Sequence, residues 1–257
     1  MADRDELLRE LRLAPMWHLR ARAGLGAPEI ASPPPSPALP AEPARSTMSR
    51  MTTTALAPAT AQPDTAARIV RIAALDWSAF AADVDACTAC KLCRTRNRSV
   101  PGVGSERADW LFVGEAPGAD EDAKGEPFVG QAGRLLDNML AAIDLGRGNN
   151  VYIANVLKCR PPGNRNPEPD EVAKCSPHLL RQIGLLRPKL ILAMGRFAAQ
   201  TLLDTDASIA SLRGRVHRYA GVPLIVTYHP AYLLRNLPDK AKSWADLRFA
   251  VRTMAGL

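Results

Sequence analysis

Four short apolar segments, each bounded by glycine or polar residues, stand out from residue 110 onward. Each has the length and the content of β-branched residues that are typical of a buried strand. The pattern therefore predicts four strands. They are Trp110–Val113, Val151–Leu157, Leu190–Met194 and Val222–Tyr228.

Apolar residues at helical spacing lie between these segments and after the last of them. The clearest stripe keeps all its members on one side of a helix; it consists of Ala132, Leu135, Leu136, Met139, Leu140 and Ile143. Further helices are predicted near Asp170–Cys175, Pro177–Leu186, Phe197–Leu203 and Trp244–Met254. Because strands and helices alternate, we expect an α/β fold with helices on both faces of a mostly parallel sheet, a three-layer α/β/α sandwich.

The N-terminal quarter of the chain has a different composition. Residues 1–26 contain a short apolar pattern at helical spacing that ends at Pro15, which predicts an amphipathic helical segment. Residues 27–66 hold nine Pro and ten Ala but no Gly or aromatic residue, a composition typical of an extended, unfolded linker. We therefore expect one folded domain at 67–257. We also expect the segment at 1–26 to dock on this domain or on a protein partner.

Charge and targeting signals narrow the cellular setting. The chain carries a net charge of +7, and residues 1–66 contain seven basic and seven acidic side chains, so the whole excess belongs to residues 67–257. No apolar run approaches the roughly 18 residues of a membrane span. The acidic N-terminus does not resemble a signal peptide. These features predict a cytoplasmic monomer with no membrane contact and a basic domain.

Three polar clusters follow the predicted strands, where open parallel sheets bind ligands. The first is a loop rich in Gly and acidic residues, 114–133, whose small residues would let a ligand approach the backbone closely. The second is Asn155, an amide inside an apolar strand that is either bonded to backbone or aimed at a ligand. The third is His229, which Pro230 holds outside the following helix. Each also has a purely structural interpretation.

Five cysteines in a chain without a signal peptide indicate metal ligands or buried thiols rather than disulfides. Four thiolates can hold zinc or an iron–sulfur cluster, and the spacing departs from the two pairs of a zinc ribbon. Four ligands leave one of the five cysteines unused, and spacing alone does not choose between Cys87 and Cys93 as the partner of Cys90. The remaining two are Cys159 and Cys175.

Several motifs in order resemble the family 4 uracil-DNA glycosylases, which are iron–sulfur enzymes of base-excision repair. The resemblance covers roughly residues 83–254. It implies a four-stranded parallel sheet between helices, removal of uracil from double- or single-stranded DNA, and a [4Fe-4S] cluster on Cys87, Cys90, Cys159 and Cys175. The motifs are Gly114-Glu-Ala-Pro-Gly with Glu121-Asp122, Pro127-Phe-Val-Gly, Asn155, Lys158-Cys-Arg-Pro-Pro, and His229-Pro-x-Tyr-Leu-Leu-Arg.

The resemblance also suggests a role for each site residue. Phe128 would stack on the flipped base, Asn155 would distinguish uracil from cytosine, and His229 would stabilise charge on uracil O2. Ala116 stands where family 1 enzymes carry a water-activating Asp, which leaves Glu115 and Glu121 as candidates to position the water. Of these two we favour Glu121.

DNA contacts are expected from the same motifs. Leu233 would fill the gap left by the flipped base, while four basic residues would meet phosphates; they are Lys158, Arg160, Arg165 and Arg235. Two alternatives remain at this stage: an iron–sulfur nucleic-acid-binding protein without catalysis, and a glycosylase for a broader set of deaminated bases. Glu115 argues against the second, since the broader enzymes carry Ala or Leu at that position.

Overall fold

A computed structural model describes residues 63–257. The predicted helical segment at 1–26 lies outside these residues, and so does nearly all of the predicted linker. The protein partner expected for that segment stays a prediction. The linker prediction extends four residues too far, because a helix, α1, already begins at Pro63. No helix among the described residues is long and apolar enough to cross a membrane.

One six-stranded sheet forms the centre of the domain. Its spatial order is β1-β3-β2-β4-β6-β5, in which β3, β2, β4 and β6 run parallel and the two short edge strands run antiparallel. The strands are β1 Val103–Gly104, β2 Trp110–Gly114, β3 Val151–Asn155, β4 Leu190–Met194, β5 His217–Tyr219 and β6 Val222–Thr227. The parallel centre is confirmed, and the edge strands are an addition that their two and three residues made too short to predict.

Helices cover both faces of this sheet. On one face α5, α6 and α7 pack against Leu111, Val113 and Ala154, and on the other α4 and α9 pack against Trp110 and Phe112. Alternate strand residues thus enter opposite cores, which confirms the three-layer prediction. The helices are α1 Pro63–Ala73, α2 Trp77–Ala86, α3 Ala119–Lys124, α4 Gln131–Ala141, α5 Pro169–Leu186, α6 Arg196–Leu203, α7 Ile209–Leu212, α8 Pro230–Arg235 and α9 Lys240–Met254.

The helix predictions were right in place but not always in extent. The two helices predicted on either side of Ser176 form one helix, α5, which continues through Pro177. The Ser176 hydroxyl donates to the carbonyl of Val172 at 2.7 Å within this helix. Helix α9 begins four residues before Trp244, because its first turn is polar and carries no apolar signal.

Candidate functional site

A cavity of about 440 Å³ opens at the carboxyl ends of the parallel strands. It receives Glu115 from the end of β2, Asn155 from the end of β3 and His229 from the segment after β6. Phe128, from the loop before α4, completes the wall. The structure therefore brings together the three polar clusters that the sequence singled out, at the edge where the topology predicts a ligand.

The loop that carries Phe128 is held from both sides. The carboxylate of Glu121 accepts hydrogen bonds from the backbone N–H groups of Val129 at 3.0 Å and Gly130 at 3.3 Å. On the other side, the Arg147 guanidinium donates to the carbonyl of Pro127 at 2.9 Å and to that of Phe128. Phe128 itself adopts a positive φ of 55°. These bonds fix a backbone conformation that side-chain-bearing residues rarely adopt.

Two glycines allow the Phe128 ring to sit where it does. A side chain at Gly133 in α4 would overlap the carbonyl of Phe128. A side chain at Gly114 would overlap both the Phe128 ring and Oδ1 of Asn155. The close packing of these residues thus requires glycine at both positions.

The side chain of Asn155 is 2 % exposed, and its Oδ1 accepts no hydrogen bond from the described residues. A buried acceptor without a donor costs about 1–3 kcal/mol, so native proteins rarely leave one unless a ligand or water supplies the donor. Because Asn155 also lines the cavity, its unpaired oxygen indicates that the cavity binds a ligand with an N–H or O–H group.

His229 stands at the N-cap of α8, and its Nδ1 accepts a hydrogen bond from the backbone N–H of Ala231 at 3.1 Å. This bond requires Nδ1 to be unprotonated, so a neutral ring carries its proton on Nε2. Burial, assisted by the charge of Arg235, lowers the pKa of His229 to about 4. At neutral pH the ring is therefore an uncharged donor, stacked against Phe128 at a centroid distance of 5.4 Å.

The two candidate carboxylates have different surroundings. The carboxylate of Glu121 accepts three backbone N–H groups. Its Oε1 accepts those of Val129 and Gly130, and its Oε2 accepts that of Gly118 at 3.0 Å. No backbone N–H among the described residues donates to Glu115; burial raises the pKa of its carboxyl, and the charge of Arg196 partly opposes this. The preference for Glu121 therefore loses its physical basis, since that residue supports the loop, and Glu115 is the less committed carboxylate. Ala116, which stands where family 1 enzymes carry an Asp, also lines the cavity.

Two of the predicted DNA contacts are wrong for this conformation. Lys158 is 1 % exposed and its ammonium donates inward, so it cannot reach a phosphate. Leu233 is also 1 % exposed because it lies on the side of α8 that faces the protein core, whereas its neighbour Leu234 is 38 % exposed. In both cases the order of the motifs predicted where the residue lies along the chain, but not whether its side chain faces solvent or the protein core.

The three arginines remain at or near the mouth of the cavity. Arg165 and Arg235 line it, and Arg235 is exposed. Arg165 also forms two hydrogen bonds, at 3.0 and 2.6 Å, with the buried carboxylate of Glu171. Arg160 donates to Asn164 at 2.7 Å in the adjacent loop. These contacts hold positive charge beside the cavity.

All five cysteines surround one small apolar cavity behind the β3 end. Burial raises the pKa of Cys175 to about 12 and also raises the pKa of Cys90 and Cys159. Neighbouring thiols add to these shifts: Cys87 and Cys93 raise the pKa of Cys90, Cys87 and Cys90 raise that of Cys159, and Cys90 and Cys159 raise that of Cys175. Among residues 63–257, no three His, Cys, Asp or Glu side chains are close enough to hold a single metal ion.

Three N–H groups donate to the thiol sulfurs. They are the Arg68 guanidinium to Cys87 at 3.4 Å, the Arg96 guanidinium to Cys159 at 2.9 Å, and the backbone N–H of Lys158 to Cys175 at 3.3 Å. Sequence reasoning missed both arginines and also Arg147, because nothing in their spacing relates them to cysteines or to a loop. Only their long-range contacts reveal them.

Comparison with known proteins agrees with this geometry. The model of the uracil DNA glycosylase superfamily matches residues 101–248. The chain is 51% identical over 160 residues to a type-4 uracil-DNA glycosylase of Archaeoglobus fulgidus, covering 59% of this chain and 80% of that protein. It is 45% identical over 161 residues to a type-4 uracil-DNA glycosylase of Thermotoga maritima, covering 62% and 83%.

A more distant relative is the type-5 uracil-DNA glycosylase of Pyrobaculum aerophilum, which is 33% identical over 157 residues, 54% of this chain and 68% of that protein. The matched family region contains the whole cavity wall from Glu115 to His229. By its sequence and its fold, the chain belongs to the uracil DNA glycosylase superfamily.

Proposed function

We propose that this protein is a uracil-DNA glycosylase, which binds a uracil nucleotide flipped out of DNA and hydrolyses its N-glycosidic bond. The observation that carries the proposal is the unpaired, buried Oδ1 of Asn155 in the same cavity as the Nε2–H of His229 and the ring of Phe128. The names of the type-4 relatives support the same activity. A base inside a duplex cannot reach such a cavity, so the nucleotide must leave the stack.

Asn155 provides the selection of the base. Its Oδ1 accepts from uracil N3–H, and its amide N–H₂ donates to uracil O4. Cytosine presents the reverse pattern, an acceptor at N3 and a donor at C4, so it would leave buried polar groups facing like groups. A site built to hydrogen-bond one pattern rejects the other strongly.

His229 provides the stabilisation of the leaving group. As the bond between uracil N1 and sugar C1′ breaks, the bonding electrons stay with uracil and negative charge grows on O2. The Nε2–H of the neutral imidazole donates to that oxygen. A donor that Ala231 already orients needs no rearrangement during the reaction, which is the source of its effect.

Water is the nucleophile in this proposal. It adds to C1′ and gives its proton to Glu115, the cavity-lining carboxylate that accepts no hydrogen bond from the described residues. The positive charge of the sugar in the transition state also favours a carboxylate here. Phe128 stacks on the flipped base and keeps it between the wall and the loop that Glu121 and Arg147 support.

DNA binding is assigned to the mouth of the same cavity. Arg160, Arg165 and Arg235 supply the positive charge there, and the net charge of +7 gives the protein a general attraction to phosphates. The binding of uracil-containing DNA thus uses the face that also contains His229.

The cysteines fit an iron–sulfur cluster. Four thiols in one apolar cavity, with N–H donors aimed at three of their sulfurs, match the ligand set and the hydrogen bonds that such clusters use. Cys87, Cys90, Cys159 and Cys175 would hold a [4Fe-4S] cluster. It would link the segment 87–90, the end of β3 and α5 into one unit.

Replacing a ligand should remove the iron. Cys175→Ala is expected to lose iron, inorganic sulfide and visible absorbance, and to lower the yield of soluble protein, because cluster binding adds to the free energy of folding. Cys93→Ala is the matched control and should retain all of these. Iron and sulfide analysis of both purified proteins makes the measurement. A bleached Cys93→Ala protein beside a fully loaded Cys87→Ala protein would overturn the ligand assignment.

Replacing the two polar groups of the cavity should abolish most activity. His229→Ala and Asn155→Ala are each expected to slow uracil release by at least roughly 100-fold, because each removes a bond to the transition state or to the reading edge of the base. Single-turnover release from a uracil-containing oligonucleotide measures the rate. Gln200→Ala, which lies on α6 away from the cavity, is the control. Rates within a few-fold of the original protein would contradict both roles.

The pH dependence should show an acid limb only. His229 must be neutral, which requires a pH above its pKa of about 4, and Glu115 must be ionised, which requires a pH above its raised pKa. Single-turnover rates should therefore be flat near neutral pH and fall as the pH falls. Glu115→Gln should be slower at pH 7 and should keep only the limb near pH 4, with circular dichroism as the check on folding. An inflection near pH 6.5 that persists in Glu115→Gln would contradict the neutral imidazole.

A further inference from the structure

Lys158 is one of the most deeply buried polar side chains in the domain, and the reaction described above does not use it. Its Nζ donates to the backbone carbonyl of Asn155 at 2.8 Å and to Oε1 of Gln182 at 2.5 Å. Gln182 is itself fully buried on α5. The ammonium therefore bridges the strand end that carries the base-reading amide and the helix that carries Cys175.

The network continues beyond Gln182. Its side-chain N–H₂ donates to the carbonyl of Pro101 at 2.6 Å and to the hydroxyl of Tyr152 at 3.2 Å. Each polar atom in this buried chain thus has a partner, and the backbone carbonyl of Asn155 is its end nearest to the cavity. A fully satisfied buried network holds its members rigidly, whereas a broken one leaves costly unpaired groups.

The charge of Lys158 has an unusual partner. No carboxylate among the described residues forms an ion pair with it, and Lys158 lines the same cavity as the thiols of Cys159 and Cys175. A buried ammonium needs compensating negative charge. Thiolates that hold a cluster would supply that charge.

We propose that Lys158 is a positioning residue that connects the cysteine cluster to the base-reading site by holding the backbone of Asn155. The proposal rests on the proposed uracil-DNA glycosylase function. It assigns the cluster a role in a hydrolytic reaction that has no redox step: the thiolates anchor the ammonium, and the ammonium fixes the strand end. Lys158 acts through Asn155 and does not contact the substrate.

A double-mutant cycle tests this connection. Lys158→Met removes the ammonium but keeps the length of the side chain. It is expected to slow single-turnover uracil release by about 10-fold in the original protein, and by less than about 2-fold when Asn155 is already alanine. A residue that merely stabilises the fold or retains the cluster would slow both backgrounds by the same factor, and that result would overturn the proposal.

A second variant keeps the proposal testable if Lys158→Met does not fold. Gln182→Met leaves the ammonium in place but removes its far anchor, together with the bonds to Pro101 and Tyr152. It should show the same dependence on Asn155 with a smaller effect. Ile183→Val, one residue away in α5, is the control: it changes core packing without touching the network and should act equally in both backgrounds. If Lys158→Met does not fold and Gln182→Met leaves the rate unchanged, the proposal is wrong.

Iron content separates this proposal from the proposed function. The original protein must release uracil for the cycle to be run, so an inactive but iron-loaded original protein would refute the function itself. Lys158→Met at full iron loading, with the rate unchanged, would refute only the role of Lys158. Reduced rate at full loading that disappears in the Asn155→Ala background is the supporting result.

Discussion

The pairing of Gly114 with Asn155 across β2 and β3 is the constraint on which the site depends. Since the two residues are direct neighbours in the parallel register, any side chain at Gly114 would occupy the space of the Asn155 amide and of the Phe128 ring. A missing Cβ on one strand thus creates the room for the amide of Asn155 on the next strand, to which we assign recognition of the base. The active site follows from strand register before any loop is considered.

Rigid support surrounds this pair. Glu121 and Arg147 fix the Phe128 loop through its backbone, and the N-cap of α8 fixes the tautomer of His229. Helix and strand ends hold these groups in place before the substrate arrives, which suits a reaction whose barrier falls through electrostatic preorganisation. Lys158 extends the same principle, because its ammonium connects the backbone of Asn155 to Gln182 of α5.

The sequence allowed the sheet, the cavity edge and several of the residues that line the cavity to be predicted, because strand length, helical spacing and motif order are local signals. It did not reveal which side of an element a residue faces once the motif leaves the strand. Lys158 and Leu233 were assigned to DNA for this reason, whereas the structure buries both. Arg96 and Arg147 were missed because their partners lie 63 and about 20 residues away, and only folding brings them together.

The central claim is that this cavity removes uracil and rejects cytosine through the amide of Asn155. The direct measurement uses two labelled oligonucleotide duplexes that differ only at one position, uracil in one and cytosine in the other. After incubation with the full-length, iron-loaded protein, free base is separated and counted. The account predicts release of uracil from the first duplex and no detectable release of cytosine from the second. Release of neither base, or of both at similar rates, would contradict it.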